Sequence, residues 1–311
     1  MNSTRNFWLN KKILLTGGSG FLGKHVYIQL LKKGASKKNI LIPRSSSLDL
    51  RKRINCQKVT KDIDLVIHLA GNVGGIGKNQ KLPATLLYDN LVMGTEIIEA
   101  ARVNKVNKFV CLGTICAYPK YTQIPFKEES LWLGYPEETN APYGLAKKML
   151  LVQTQAYRQQ YGFNSIYLLP VNLYGPGDNF DPQSSHVIPA IIKKIADAKK
   201  KNIDFIEVWG DGTPTREFLY VEDAAKGIIL AAEKYNKPDP VNLGSGFEIS
   251  IIELVKKIAD ILKFKGKVIW DNTQPNGQPR RLLDVSKAYE EFKFRANTTF
   301  DKGLKKQSIG I

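Results

Sequence analysis

Lys12-Ile13-Leu14-Leu15-Thr16 runs directly into Gly17-Gly18-Ser19-Gly20-Phe21-Leu22-Gly23, after which helical periodicity continues to about Lys33. A short apolar run, a glycine-rich stop and a 3.6-residue pattern spell strand, turn and helix. Glycine at 17, 20 and 23 lets the backbone reverse sharply, leaves room for a pyrophosphate at the helix N-terminus, and lets helix and sheet pack closely. The stretch therefore predicts a dinucleotide-binding unit at the start of the chain.

The residues that follow extend the pattern. A second strand over Asn39 to Ile42 ends in Pro43-Arg44-Ser45-Ser46. A carboxylate at that point would bind a ribose 2'-hydroxyl, whereas Arg44 and the neighbouring hydroxyls suit a 2'-phosphate, so NADP(H) is the expected cofactor. Asp49-Leu50 would edge the adenine pocket. The strand Leu65 to Leu69 carries His68, which reads as a satisfied core histidine, as does His25 on the first helix; small residues from Ala70 follow, where a cofactor backbone could pass. A helical stretch spans about Pro83 to Asn104, and the strand Lys108 to Leu112 delivers Gly113-Thr114-Ile115-Cys116. Ligands in open α/β sheets bind beyond the carboxyl ends of strands, which places this segment for chemistry.

Tyr143-Gly144-Leu145-Ala146-Lys147 lies on the next helix, which runs to about Gln160 and precedes the strand Ser165 to Leu169. Four residues apart on a helix, Tyr143 and Lys147 share a face, so a phenol and an ammonium can converge on one molecule. The ammonium is expected to favour the ionised phenol and make Tyr143 an acid or base near neutral pH. Alternating strands and helices predict an α/β fold, a doubly wound parallel sheet of the Rossmann type. From about Asn172 turn formers take over, and Phe205 to Trp209 and Glu217 to Tyr220 read as short strands around Gly210-Asp211-Gly212. Ser250-Ile251-Ile252-Glu253 is a capping box opening a helix to about Leu262. The expected division is a dinucleotide-binding domain over 1–175 and a smaller interleaved α/β substrate-binding domain over 176–311, with about 205–235 partly returning to the first.

Composition narrows the class. The charge of +17, from 46 Lys and Arg against 29 Asp and Glu, permits an anionic partner, but the lysines are spread through helical segments without aromatic interleaving, so no nucleic-acid platform is expected. Three widely spaced cysteines, Cys56, Cys111 and Cys116, suggest neither a disulfide framework nor a metal site, and a cytoplasmic setting is expected. Met1 to Asn10 lacks an apolar leader core, and no apolar run approaches the ~20 residues of a membrane span. A soluble protein without membrane attachment is the expectation.

In order, Thr16-Gly17-x-x-Gly20-x-x-Gly23, Thr114 and Tyr143-x-x-x-Lys147 resemble the extended short-chain dehydrogenase/reductase family. Val73-Gly74-Gly75-Ile76, Cys116-x-Tyr118-Pro119-Lys120, Asn172-Leu173-Tyr174-Gly175-Pro176, Ser185-His186-Val187-Ile188-Pro189-Ala190, the Trp209 to Phe218 segment and Pro279-Arg280-Arg281-x-Leu283-Asp284 make it similar to the GDP-L-fucose synthase branch. The resemblance implies Thr114, Tyr143 and Lys147 as a reductase triad, with threonine where serine is usual, and Cys116 and His186 as an epimerisation pair. It implies a GDP-sugar substrate against Lys194, Trp209, Arg216 and Arg281, and a homodimer through the helix of Tyr143. The cofactor-facing set becomes Gly17, Gly20, Phe21, Leu22, Gly23, Arg44, Ser45, Asp49, Leu50, Ala70, Tyr143, Lys147, Asn172 and His186. A single-activity reductase or a 4-epimerase on a related nucleotide 4-keto sugar is the alternative. A 4-epimerase with tightly held NAD fits less well with a Cys116–His186 pair and with no acidic residue after the second strand.

Overall fold

The computed structural model describes residues 7–274 and 276–308, so the first six residues of the stretch examined for a leader lie outside it. The strands are β1 (Ile13–Thr16), β2 (Ile40–Leu41), β3 (Leu65–His68), β4 (Lys108–Leu112), β5 (Ser165–Pro170), β6 (Asn172–Tyr174), β7 (Phe205–Trp209), β8 (Thr215–Tyr220), β9 (Val241–Leu243), β10 (Glu248–Ser250) and β11 (Lys267–Asp271). The helices are α1 (Phe21–Lys32), α2 (Arg53–Thr60), α3 (Ile76–Lys81), α4 (Pro83–Val103), α5 (Ala141–Tyr161), α6 (Val187–Lys200), α7 (Val221–Lys234), α8 (Ile251–Ile261), α9 (Ser286–Phe292) and α10 (Phe300–Ser308). Six strands form one parallel sheet in the order β2-β1-β3-β4-β5-β9. Its four central strands are apolar almost throughout because helices cover both faces. The register sets Thr16 opposite His68, His68 opposite Cys111, and Cys111 opposite Tyr167, a single rung beneath the carboxyl edge.

The sheet anchors one hydrophobic core, and a second, smaller one gathers Ile188, Ile192 and Ile195 of α6 with Val208, Phe218, Ile249, Leu254 and Ile258. The chain crosses between them repeatedly. Residues of α7, β9 and α9 pack with the large sheet, whereas β6 to β8, β10, α8 and α10 build the smaller core. The strands β7 and β8 do not pair with one another: β7 lies parallel to β11, and β8 sits between β6 and β10. Ser250 and Glu253 close the capping box in both directions, at 3.2 Å each way, so α8 starts where its sequence says. The second strand is shorter than expected, because Lys37–Asn39 forms a 3-10 turn before it. The short helix α3 follows the Gly74-Gly75 pair where only small residues were anticipated.

Asp178 joins the loop after β6 to α10: one carboxylate oxygen accepts from Asn179 N at 2.7 Å and the other from Gln307 Nε2 at 3.1 Å. Burial raises its carboxyl from the ordinary 3.8 to about 6, against these hydrogen bonds. With the folded value above the unfolded one, its contribution to stability is complete below 3.8 and is lost as pH climbs through about 6. Gln307 Oε1, buried and without a partner among the described residues, could accept from an amide at position 178. Asp178→Asn should therefore stabilise the protein by about 1–3 kcal/mol at pH 7.5, with the gain fading towards pH 4. Urea unfolding at both pH values checks this; equal midpoints at pH 7.5 would show that the carboxylate carries no burial cost.

Candidate active site

The glycine turn is held by close backbone contacts. Gly17 has φ +67°, and a Cβ there would meet Ala70 N at 2.8 Å; a Cβ on Gly23 would lie 2.1 Å from Gly17 O. No side chain caps α1, so the N–H groups of its first turn, at Phe21, Leu22 and Gly23, remain for an anion. These features fit a dinucleotide pyrophosphate on backbone alone. Thr16 Oγ1 accepts from Ala70 N at 3.2 Å and pairs with His68 Nδ1 at 2.8 Å, which ties β1 to the loop after β3. Burial, with Lys147 adding, pushes His68 down to about 3, so it is a neutral core histidine as expected. His25 is not in the core: it is half-buried, its Nε2 3.0 Å from Pro176 O, because its helix face looks across to the second core's loop.

Arg44 and Ser45 are exposed just beyond β2, and among the described residues Arg44 has no carboxylate partner. Asp49 is engaged by Arg51, which also reaches Asp89 at 2.8 Å, while Leu50 is buried beside Cys56. The Arg51 hydrogen bond holds the Asp49 carboxyl below its ordinary value.

At the end of β4, Thr114 caps a single 3-10 turn over Ile115–Ala117, its hydroxyl accepting from Cys116 N at 3.2 Å. The start of α5 presses on this turn: a Cβ at Gly144 would fall 2.2 Å from Cys116 O. Only glycine permits that approach, and it brings Tyr143 against Thr114 and Cys116. Lys147, one turn on, is almost fully buried and its Nζ has no protein partner among the described residues; its carbonyl accepts from Tyr167 Oη at 2.6 Å. The ionised phenol expected at Tyr143 is not what this cleft produces. Burial, then the nearby Cys116 sulfur, pushes the phenol up, with the Thr114 hydroxyl opposing, and burial pushes the Lys147 ammonium down. The cleft therefore favours the protonated phenol at Tyr143.

The second core supplies the opposite wall. His186 immediately precedes α6, next to Ser185, whose carbonyl would be 2.4 Å from a Cβ on Gly75. Gly75 N donates to Ser184 O at 3.1 Å, so the loop before α3 and the loop before α6 are stitched together. His186 is exposed as a residue, yet desolvation by the protein around its ring lowers it from its ordinary value; among the described residues no hydrogen bond joins it to Cys116 or Tyr143. Asn172 donates to Glu217 O at 3.1 Å.

Of the residues expected at a GDP group, Lys194 is exposed with Nζ on Glu207 O at 2.8 Å, and Trp209, at the end of β7, lies 3.6 Å from where a Gly77 Cβ would be. Arg216 donates to Thr215 O and Asn276 O at 2.8 and 3.1 Å. Burial and then Arg281 push its guanidinium down to about 9, still charged at neutral pH. Arg281 is 7% exposed, and its Nη1 stands 3.6 Å from Cys116 Sγ. Two guanidiniums with few counter-charges make this wall strongly attractive to an anion.

Residues not anticipated hold this arrangement. Glu217, fully buried on β8, accepts from Ser245 N, Gly246 N and Leu283 N at 2.6 to 2.8 Å, which pins the strand-like segment bearing Arg281. Gln278 accepts from Arg281 Nε at 2.9 Å and donates to Lys120 O at 2.7 Å. Both adjoin motifs visible in the sequence, but nothing local marks them as brackets. Among the described residues no cluster of His, Cys, Asp and Glu suits a metal, and no helix is long and apolar enough to cross a membrane.

The model of the NAD dependent epimerase/dehydratase family matches residues 13–244. The chain is 39% identical over 298 residues to a GDP-L-fucose synthase of Sinorhizobium fredii, covering 95% of this chain and 94% of that one. It superposes on a GDP-6-OMe-4-keto-L-xylo-heptose reductase from C. jejuni with a TM-score of 0.89 at 26% identity, covering 96% of each chain. A GDP-L-fucose synthetase from Naegleria fowleri bound to NADP superposes with a TM-score of 0.87 at 27% identity, over 97% of this chain and 94% of that one. Matched over most of its length by the family model and by a relative at 39% identity, the chain belongs to the NAD dependent epimerase/dehydratase family.

Proposed function

We propose that the protein is an NADPH-dependent epimerase-reductase that converts GDP-4-keto-6-deoxy-D-mannose to GDP-L-fucose. The observation that carries the reading is the Cys116 sulfur lying near the Tyr143 phenol, which the Thr114 hydroxyl hydrogen-bonds. A reductase has no need of a thiol there, whereas removing a proton next to a ketone does. The relatives' names, GDP-L-fucose synthase and a synthetase bound to NADP, support the same substrate and cofactor.

A ketone at carbon 4 acidifies the hydrogens on carbons 3 and 5, since either carbanion rests as an enolate on the carbonyl oxygen. Thr114 and Tyr143 donate hydrogen bonds to that oxygen. Cys116, as thiolate, takes the proton, and His186 returns one to the opposite face. Because desolvation favours the neutral ring, His186 takes up a proton from solvent or substrate before it donates one. NADPH, when bound, would supply a hydride for reduction at carbon 4. Tyr143 then gives its proton to the alkoxide, with Lys147, one turn along the same helix face, stabilising the phenolate left behind. Lys194, Trp209, Arg216 and Arg281 hold the GDP group, the cations on the diphosphate and the indole on a ring. Gly17, Gly20, Phe21, Leu22, Gly23, Asp49, Leu50, Ala70 and Asn172 hold the cofactor.

Arg44 and Ser45 take the 2'-phosphate, so NADPH should be preferred over NADH by about tenfold or more, equal to ~1.4 kcal/mol of a charge-assisted contact. Arg44→Ala should erode this preference; steady-state rates with both cofactors measure it, and equal use by the unaltered protein would remove Arg44 from the site. In this reading residues 1–175 form the cofactor domain and 176–311 the substrate domain, with α7 returning to the first. A homodimer through α4 and α5, whose Leu87, Tyr88, Met149 and Val152 are exposed, and a cytoplasmic setting consistent with free cysteines complete it.

The second reading is a single-activity reductase on another GDP-4-keto sugar, favoured by the close superposition on the C. jejuni reductase. Incubation with GDP-4-keto-6-deoxymannose and NADPH, followed by stereochemical analysis, separates the two. GDP-L-fucose is the expected product; a reduced sugar of the D series alone would favour the reductase.

A further inference from the structure

The guanidinium of Arg281 is buried, yet among the described residues it forms no salt bridge with a carboxylate. Its Nε is spent on Gln278 Oε1 at 2.9 Å, and its Nη1 meets Cys116 Sγ at 3.6 Å. Glu137 is the acid close enough to feel it, but its oxygens are taken by Thr139 and Asn140 at 2.5 to 3.3 Å. Those bonds leave Glu137 charged without joining it to the guanidinium, so a counter-charge in direct contact must come from a neighbour that can ionise. Here that neighbour is the thiol. Both ends of the contact are fixed: Gln278 Nε2 donates to Lys120 O at 2.7 Å, just after the Cys116 turn, and Glu217 N donates to Arg281 O at 3.1 Å. Arg216 adds charge on the same side, with the Cys116 sulfur among the groups that favour its protonated form.

We propose that Arg281 is the positioning residue and counter-ion of the Cys116 thiolate, so that the proton-abstracting base is a Cys116–Arg281 pair clamped by Gln278. The proposal rests on Cys116 being the base of the epimerisation. In the step, the Cys116 thiolate forms an S–H bond to the proton of carbon 3 or 5, and the C–H electron pair passes to the ketone oxygen as enolate. The guanidinium is released from its partner as the negative charge moves to that oxygen, and the thiol later loses its proton to solvent, restoring the pair.

The thiolate is the alkylated form, and Cys56 and Cys111 are fully buried, so iodoacetamide reports on Cys116. In the full-length protein without nucleotide, Arg281→Met should slow Cys116 alkylation at pH 7 by about tenfold, since an adjacent opposite charge favours the ionised form. Arg281→Lys, which keeps the charge but loses the fork, should fall between. Deuterium uptake at carbons 3 and 5 should slow in the same order. If Arg281 serves only the diphosphate, KM for the GDP-sugar rises while alkylation is unchanged within twofold in a variant that melts like the unaltered protein; that result overturns the proposal. Slow alkylation with undiminished deuterium uptake overturns it too. A Cys116→Ser protein that still takes up deuterium fully would instead refute the base assignment, and the alkylation series would still decide whether the pair exists.

Discussion

Cys116→Ser should abolish deuterium uptake at carbons 3 and 5 from D₂O while leaving slow reduction of the unepimerised ketone. The substitution keeps size and hydrogen-bonding character but exchanges a thiol, ionising near pH ~8.5 in free cysteine, for a hydroxyl that does not ionise in the working range. The backbone N–H at 116 still donates to Thr114, so the turn keeps its shape. Reduction draws on Thr114, Tyr143 and Lys147, none of which loses an atom. The expected product is a GDP-6-deoxyhexose of the D series, formed with rate losses in epimerisation of roughly 10²–10⁴ as for removal of a general base. NMR of the product shows both outcomes at once. A serine variant that still makes GDP-L-fucose with deuterium at both carbons would make Cys116 structural, and His186 would be the next base to test.

Tyr143→Phe should cut reduction by roughly 10²–10⁴ with cofactor binding nearly intact, because a single proton-donating hydroxyl is lost. The cavity around the ring is unchanged, and Gly144 still seats the helix on Cys116 O. The raised phenol gives this prediction a pH dependence. A donor whose proton is held more tightly than in free tyrosine stays competent throughout the neutral range, so reduction by the unaltered protein should show no loss from phenol ionisation between about pH 7 and 9. Single-turnover reduction followed by NADPH absorbance tests both statements. A phenylalanine variant that retains most of its turnover, or a rate that falls with one ionisation below pH 9 attributable to the phenol, would move the donor role elsewhere.

Deuterium uptake that persists in Tyr143→Phe, with reduction gone, would separate the two half-reactions from the other side. The enolate oxygen keeps one donor, Thr114, so uptake should weaken rather than stop. The pair of variants then assigns carbon–hydrogen exchange to Cys116 and proton delivery at carbon 4 to Tyr143.

Much of this protein is legible from sequence because its information is local. The Ile13–Thr16 strand, the glycine turn and the helix to Lys32 are encoded within one continuous stretch by period and turn chemistry, and the Ser250–Glu253 cap within four residues. Tyr143 and Lys147 share a helix face by spacing alone. What the tertiary structure decided are pairings whose members the chain keeps far apart. Arg281 reaches Cys116 across 165 positions, and Glu217 grips Leu283 across 66, because strand order and crossovers between two cores bring those segments together. The same holds for electrostatics: Tyr143 beside Lys147 reads as an acidified phenol, but the depth of the cleft raises it, since burial is a property of everything packed around a group and not of its neighbours in sequence.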